Sequence, residues 1–213
     1  MKIGYIAPPA AILALSACTY TAPATTAPSY DVFSNYDNKL DSRVALIVDS
    51  NELQEDVRVS GFACSAHTYP IDARNEFRTS VIKTFENLVR EVEPVDDPID
   101  VTQMNKMGYD TVVYVQSEDM DVDLRVIPGF WTADLEAETE IAASIRAETP
   151  EGRALGRTVE GDGEGRAESG AACEGGAQAV GESVAQAIED TMRRLGERLS
   201  NSQRLRAPEL AER

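Results

Sequence analysis

Histidine is almost missing from this sequence: of 213 residues, only His67 carries an imidazole. That withholds the donor on which most zinc enzymes and hydrolytic triads draw. Basic residues are scarce as well, 20 Lys and Arg against 37 Asp and Glu, for a formal charge of −17. A field of that sign repels phosphate backbones, so nucleic acid is not an expected partner. The longest apolar stretch, Ile3 to Ala17, is too short for a spanning helix and is broken by Pro8 and Pro9. What remains is ordinary for a globular protein: 42% hydrophobic and 27% charged residues, enough for one domain with a core.

The N-terminal stretch reads as a signal peptide over residues 1–17, with Met1 and Lys2 as its positive start. It closes on Leu15-Ser16-Ala17-Cys18, which resembles the bacterial lipobox. The resemblance implies cleavage before Cys18, diacylglycerol on its sulfur and a third acyl chain, such as palmitate, on its amine. Thr19 rather than Asp follows, which by the sorting rules of such proteins implies the outer membrane, with the domain facing the periplasm. The competing reading is an ordinary secretory signal, or a short buried helix, that happens to contain a cysteine. Residues 18–40 then read as a lipidated start and a tether rich in Pro and Thr. From Thr19 to Ser29 the chain has no large aliphatic residue, and eleven extended residues would reach about 30 Å.

With Cys18 lipidated, Cys64 and Cys173 remain, an even number that suits a disulfide in an oxidising compartment. Cys64 and His67 also have ligand-like spacing, but they lack a convincing further ligand, so no metal and no cofactor are expected.

Residues 41–200 read as a single α+β domain. Val44 to Val48 is an apolar run of the kind covered on both faces, and Val57 to Ala66 gives a second strand. Asp72 is placed to cap a helix whose stripe runs Phe77, Val81, Phe85, Leu88 and Val92, stopped by Pro94 and Pro98. A short helical segment near Ile99 to Lys106 leads through Gly108-Tyr109-Asp110 into a strand, Thr111 to Val115. Val122, Leu124 and Val126 mark another strand, and Leu135 to Glu148 alternates apolar and acidic residues. Thr149-Pro150-Glu151-Gly152 turns the chain into a return strand, Ala154 to Gly163, whose Gly161 and Gly163 suggest a fraying or bulged end. After a small-residue loop over 160–176, Val180, Val184, Ile188, Met192, Leu195 and Leu199 stripe a long helix, and residues 201–213 read as a polar tail. The expected architecture is a mixed, mainly antiparallel sheet with two principal helices packed on one face.

This order of elements resembles the anticodon-binding-domain-like fold of periplasmic lipoproteins. The resemblance is carried by Met107-Gly-Tyr-Asp-Thr-Val-Val-Tyr-Val-Gln-Ser117 and by the last hairpin and helix over 155–199. It is to YajG-like lipoproteins and, more distantly, to the lipopolysaccharide-assembly and curli-secretion lipoproteins. It implies a non-enzymatic binding or scaffold component of an envelope assembly or transport system. Its partners would be the membrane through the lipid anchor and another envelope protein, with a homo-oligomer open. An auxiliary lipoprotein of an ABC-type lipid or solute exporter and a cell-envelope enzyme are the alternatives.

Several features suggest sharper chemistry. Gly161-Asp-Gly-Glu-Gly165 lacks the Lys-Ser or Lys-Thr of a phosphate loop. Alternating carboxylates over 134–148 fit a solvated strand face better than an acid–base or calcium site. No nucleophile–base pair, and hence no catalytic residue, stands out. Phe130 and Trp131 follow Pro128-Gly129 at a hairpin bend and are candidate contacts for a partner or membrane, unless the loop folds back over them. Arg193, Arg194, Arg198, Arg204 and Arg206 give the C-terminal end a local positive bias that suits a helix dipole.

Overall fold

The computed structural model describes residues 19–61, 63–130 and 132–206. Among them, seven strands form one mixed sheet: β1 (Leu40–Asp49), β2 (Gln54–Ser60), β3 (Thr68–Asp72), β4 (Val89–Pro94), β5 (Thr111–Pro128), β6 (Ala133–Thr149) and β7 (Gly152–Glu168). Helices α1 (Arg74–Leu88) and α3 (Gly175–Ser200) pack on one face, and the short α2 (Val101–Met107) joins a second, smaller core. Antiparallel pairing joins β2 to β3, β5 to β6 and β6 to β7, whereas β1 runs parallel to β4 and β5, and β2 parallel to β5. This is the expected α+β sheet, mixed and mainly antiparallel, with two principal helices on one face.

β5 organises the sheet. Along one edge it pairs with β6 from Val112 to Pro128. The other edge is shared end to end, β1 lying beside Thr111–Gln116 and β2 beside Leu124 and Arg125. A bulge between Ser117 and Asp119 falls where one neighbour hands over to the other. Below the bulge β5 is covered on both faces, because Ala45 and Val112 pack with Ile99, Met104 and Tyr109 behind the sheet. Above it the strand alternates, with Met120, Val122 and Leu124 buried.

The main core is built from the predicted stripes: Phe77, Val81 and Phe85 of α1, and Val180, Val184, Ile188, Met192, Leu195 and Leu199 of α3. Three expectations change at the edges. The first helix stops at Leu88, and Val92 lies on β4, paired with Val44; its spacing from Leu88 matches a helical step, but the free edge of β1 supplies the ladder bonds. Tyr69-Pro70-Ile71 is a strand, β3, rather than an approach to the helix, and Asp72 is not the N-cap. The two strands read at 111–115 and 122–126 are one.

The small-residue loop also shrinks, because β7 continues to Glu168. Gly161, Gly163 and Gly165 do not fray; they admit α3 against the sheet. A Cβ on Gly163 would lie 2.0 Å from the Ser183 carbonyl oxygen, and one on Gly165 equally close to that of Ala179. The glycines are there for close approach, which sequence alone cannot distinguish from a bulge.

Two segments read as unpacked are packed. The expected tether over 18–40 is, from Thr19 onward, a strap on the domain. Tyr20 N–H donates to Thr68 O at 3.0 Å and Ala22 N–H to Pro70 O at 2.9 Å. Further along, Ala27 N–H donates to Ser80 Oγ (2.9 Å) and Ser29 N–H to Thr84 Oγ1 (3.0 Å). These bonds satisfy the backbone of a stretch with little apolar surface of its own. The start of the polar tail is docked too. Arg206 is 1% exposed, donates to Ser200 O and Asn38 O at 3.0 Å each, and stacks 4.4 Å over the Tyr36 ring. The tail's remainder, 207–213, lies outside the described residues.

Because the α3–β7 contact has no room for a side chain, Gly163→Ala is expected to lose about 1–3 kcal/mol of stability. Urea unfolding should show a lower midpoint with an unchanged slope.

Candidate functional site

The two ends of the long sheet differ in chemistry. At one end meet the start of the strap, the loop from β2 to β3, the β5–β6 turn and the loop from β7 to α3. Thr19 bridges to Thr68. Ser60 pairs with Arg125, close to the β5–β6 turn, and Ser169 N–H donates to Ala133 O at 2.8 Å. Residues 19–29, 61–67 and 129–133 contain no Asp, Glu, Lys or Arg, and the loop 169–174 contains one, Glu174. In a chain that is 27% charged, the start of the strap and these three loops make this end poor in charge.

Cys64 and Cys173 are disulfide-bonded there, with Cα atoms 5.9 Å apart, tying two of these loops together. Both cysteines have left-handed backbone, φ 61° and 60°, a conformation that costs an L-residue roughly 1–2 kcal/mol. Tyr69 lies beneath, fully buried, and its hydroxyl donates to Cys173 O at 2.7 Å. Burial, followed by the neighbouring Tyr20 and Glu174, pushes that phenol up to about 12, so it stays a donor. His67 is half-buried, its ring 5.7 Å from that of Tyr20. Its Nδ1 is buried without a hydrogen-bond partner. Phe130, at the hairpin tip, is 89% exposed. Cys18 and Trp131 lie outside the described residues.

At the opposite end a groove of about 950 Å³ opens between the β6–β7 turn, the start of β1, the α2–β5 turn and the segment after α3. Arg90, Arg153 and Arg204 line it together with Asp41, Asp110 and Glu151. Arg90 pairs with Asp41, and Arg204 donates to the Arg153 carbonyl at 3.2 Å. Tyr109 forms part of the wall; its phenol is raised first by burial and then by its bond to Glu93. Arg43 stacks 4.8 Å over this ring and bonds Glu91, Glu93 and the Met107 carbonyl. This site was not foreseen from the sequence, which singled out Gly108-Tyr109-Asp110 only as a turn.

The acidic hairpin carries an ion-pair ladder: Arg125 bridges Glu136 and Glu138, and Arg166 holds Asp134 at 2.7 Å. Most of the C-terminal arginines are likewise engaged. Arg193 pairs with Asp190 and Glu197, and Arg194 with Asp190 and Asp162. Among the described residues, no group of three or more His, Cys, Asp or Glu side chains is placed to hold a metal ion. Also among them, no helix is long and apolar enough to cross a membrane. Glu55 is an exception to the pairing: one carboxylate oxygen is buried without a hydrogen-bond partner. Burial first, then Asp121 and Asp119, raises its pKa.

No protein-family model and no curated protein matches the chain. Similar solved structures include a Xanthomonas campestris protein of the DUF330 family, 10% identical with a TM-score of 0.43 over 92% of this chain and 100% of that one. Another is a neuraminyllactose-binding hemagglutinin homolog from Helicobacter pylori, 11% identical with a TM-score of 0.46 over 87% and 98%. A hypothetical protein from Chlamydia trachomatis is 6% identical, with a TM-score of 0.37 over 74% and 97%. At such identities a shared outline says nothing of a shared role.

The paired left-handed cysteines give one expectation. Removing the crosslink as Cys64→Gly with Cys173→Gly should leave the protein about 2 kcal/mol more stable than removing it as the double alanine variant, because glycine adopts that backbone freely. Thermal melts of the two variants side by side check this.

Glu55 gives a second. Its folded pKa lies above the unfolded value, so the native state binds the proton more tightly, and stability falls as pH rises through the carboxylate range. Glu55→Gln is therefore expected to raise the melting temperature at pH 7, by the equivalent of no more than about 1 kcal/mol because the group is half-exposed. The gain should vanish at pH values below that range.

Proposed function

We propose that this chain is a lipid-anchored protein of the bacterial outer membrane whose periplasmic domain acts by binding another envelope component. The observation that carries the reading is Leu15-Ser16-Ala17-Cys18 at the end of an N-terminal apolar stretch, with the folded domain beginning at once, at Thr19. The Cys64–Cys173 bond suits a compartment that oxidises thiols. The resemblance to YajG-like lipoproteins in 107–117 and 155–199 agrees with it. The contact for the partner is the groove between β1 and the β6–β7 turn. Its three arginines and three carboxylates suit a polar segment of a protein better than a single anion.

Non-enzymatic action is part of this reading. The described groups with shifted ionisation serve the fold: Tyr69 bonds the disulfide loop, and Asp72 is held low by its bond to Arg74. Neither lines the groove; Tyr109, which does and whose phenol is raised, is buried and bonded to Glu93.

Metabolic labelling with palmitate should mark the wild-type protein and recover it with membranes, and Cys18→Ser should abolish both. Unchanged labelling and fractionation in that variant would overturn the anchor. A photocrosslinking residue at Glu151, in the groove, should capture an envelope protein that the same residue at Glu182, on α3, does not. Capture of none, with hydrolysis of a cell-wall fragment by the purified mature protein, would overturn the binding role.

A further inference from the structure

Anchoring at Cys18, on which this inference rests, fixes more than attachment, because the strap leaves no spacer. One peptide bond joins Cys18 to Thr19, which puts their Cα atoms about 3.8 Å apart. Thr19 in turn is bridged to Thr68 at the start of β3, and the next two ladder bonds, at Tyr20 and Ala22, hold the strap in register. Acyl chains at Cys18 would therefore leave the molecule at the charge-poor end of the sheet.

That end is fit to receive a bilayer on two further grounds. An anionic leaflet repels carboxylates, and in a protein of formal charge −17 the loops 61–67 and 129–133 at this end contain none, while 169–174 carries one, Glu174, which accepts from the Ala172 N–H of its own loop. The β5–β6 turn also presents Phe130, 89% exposed, at the same end as Thr19. An aromatic ring at the headgroup level gains apolar contact at little entropic cost. We infer that the domain stands upright on the phospholipid surface, its charge-poor end resting on the bilayer. Phe130 is the second point of contact beside the lipidated cysteine, and the charged groove faces away. One attachment point alone would let the domain tumble about the anchor; two separate contacts set its direction.

The test uses the full, lipidated protein in vesicles of phosphatidylethanolamine and phosphatidylglycerol, with and without brominated phosphatidylcholine. The chain's one tryptophan, Trp131, follows Phe130 in sequence and serves as the reporter. A tip seated roughly 5–10 Å into the boundary between headgroups and acyl chains should lose about half its emission to the bromines. Phe130→Asp should restore most of that emission while the protein still floats with the vesicles and keeps its palmitate label. Glu151→Trp in a Trp131→Phe background, which places the reporter in the opposite turn, should not be quenched.

An unquenched Trp131 in a labelled, floating protein overturns the orientation and leaves the anchor standing, and so does equal quenching at both ends, the sign of a domain lying flat. Failure of Phe130→Asp to alter the quenching removes Phe130 as the second contact and overturns the inference in that form. A protein that carries no label and does not float removes the anchor and the orientation together.

Discussion

The backbone hydrogen bonds along β5 are the constraint from which the rest of the domain follows. Each edge of an eighteen-residue strand must be paired or covered, since buried unpaired N–H and C=O groups cost as much as lost hydrogen bonds. One edge is met by a single partner of matching length, and the hairpin continues into β7. The other is met by two short strands laid end to end, and the connection between them falls where β5 bulges. Because β1 is parallel to β5, the chain must cross over between them, and β2, β3, α1, β4 and α2 make up that connection. The two-sided burial of the lower half of β5 follows from where α2 comes to rest.

A second constraint acts at the opposite pole of the sheet from the groove. The strap, the disulfide and the Tyr69 hydroxyl secure loops that have almost no core of their own. A crosslink over 109 residues of sequence contributes roughly 4–5 kcal/mol by restricting the unfolded chain, and holding two cysteines in left-handed backbone draws on part of that gain. Loops so fastened need few charges to stay in place.

How legible this was in the sequence depends on the range over which each feature is decided. The long strands and α3 carry their period within themselves, two in Leu135 to Glu148 and near 3.6 in Val180 to Leu199, and both could be read directly. The edge strands could not: β3 and β4 are five and six residues long, and what makes them strands is the partner edge of β2 or β1. The strap was read as a tether because its composition is poor in apolar residues. Its hold lies in Ser80 and Thr84, two hydroxyls four residues apart on α1 beside Phe77, Val81 and Phe85, a signal that only makes sense once a backbone lies across it. The groove was illegible because five distant segments build it, whereas the disulfide was legible because after Cys18 only two cysteines remained to be paired.

The length of the central hairpin then takes on a meaning of its own. Eighteen residues at about 3.3 Å each make a rod of up to about 60 Å, with the start of the strap at its foot and the groove at its head. In the proposed upright orientation, strand length would be a height gauge, deciding how far above the lipid an incoming partner would be met. Because side chains alternate with a period of two, a change of length that keeps the dry face inward comes in steps of two residues per strand, about 7 Å at a time, unless a bulge such as the one between Ser117 and Asp119 takes up the odd residue.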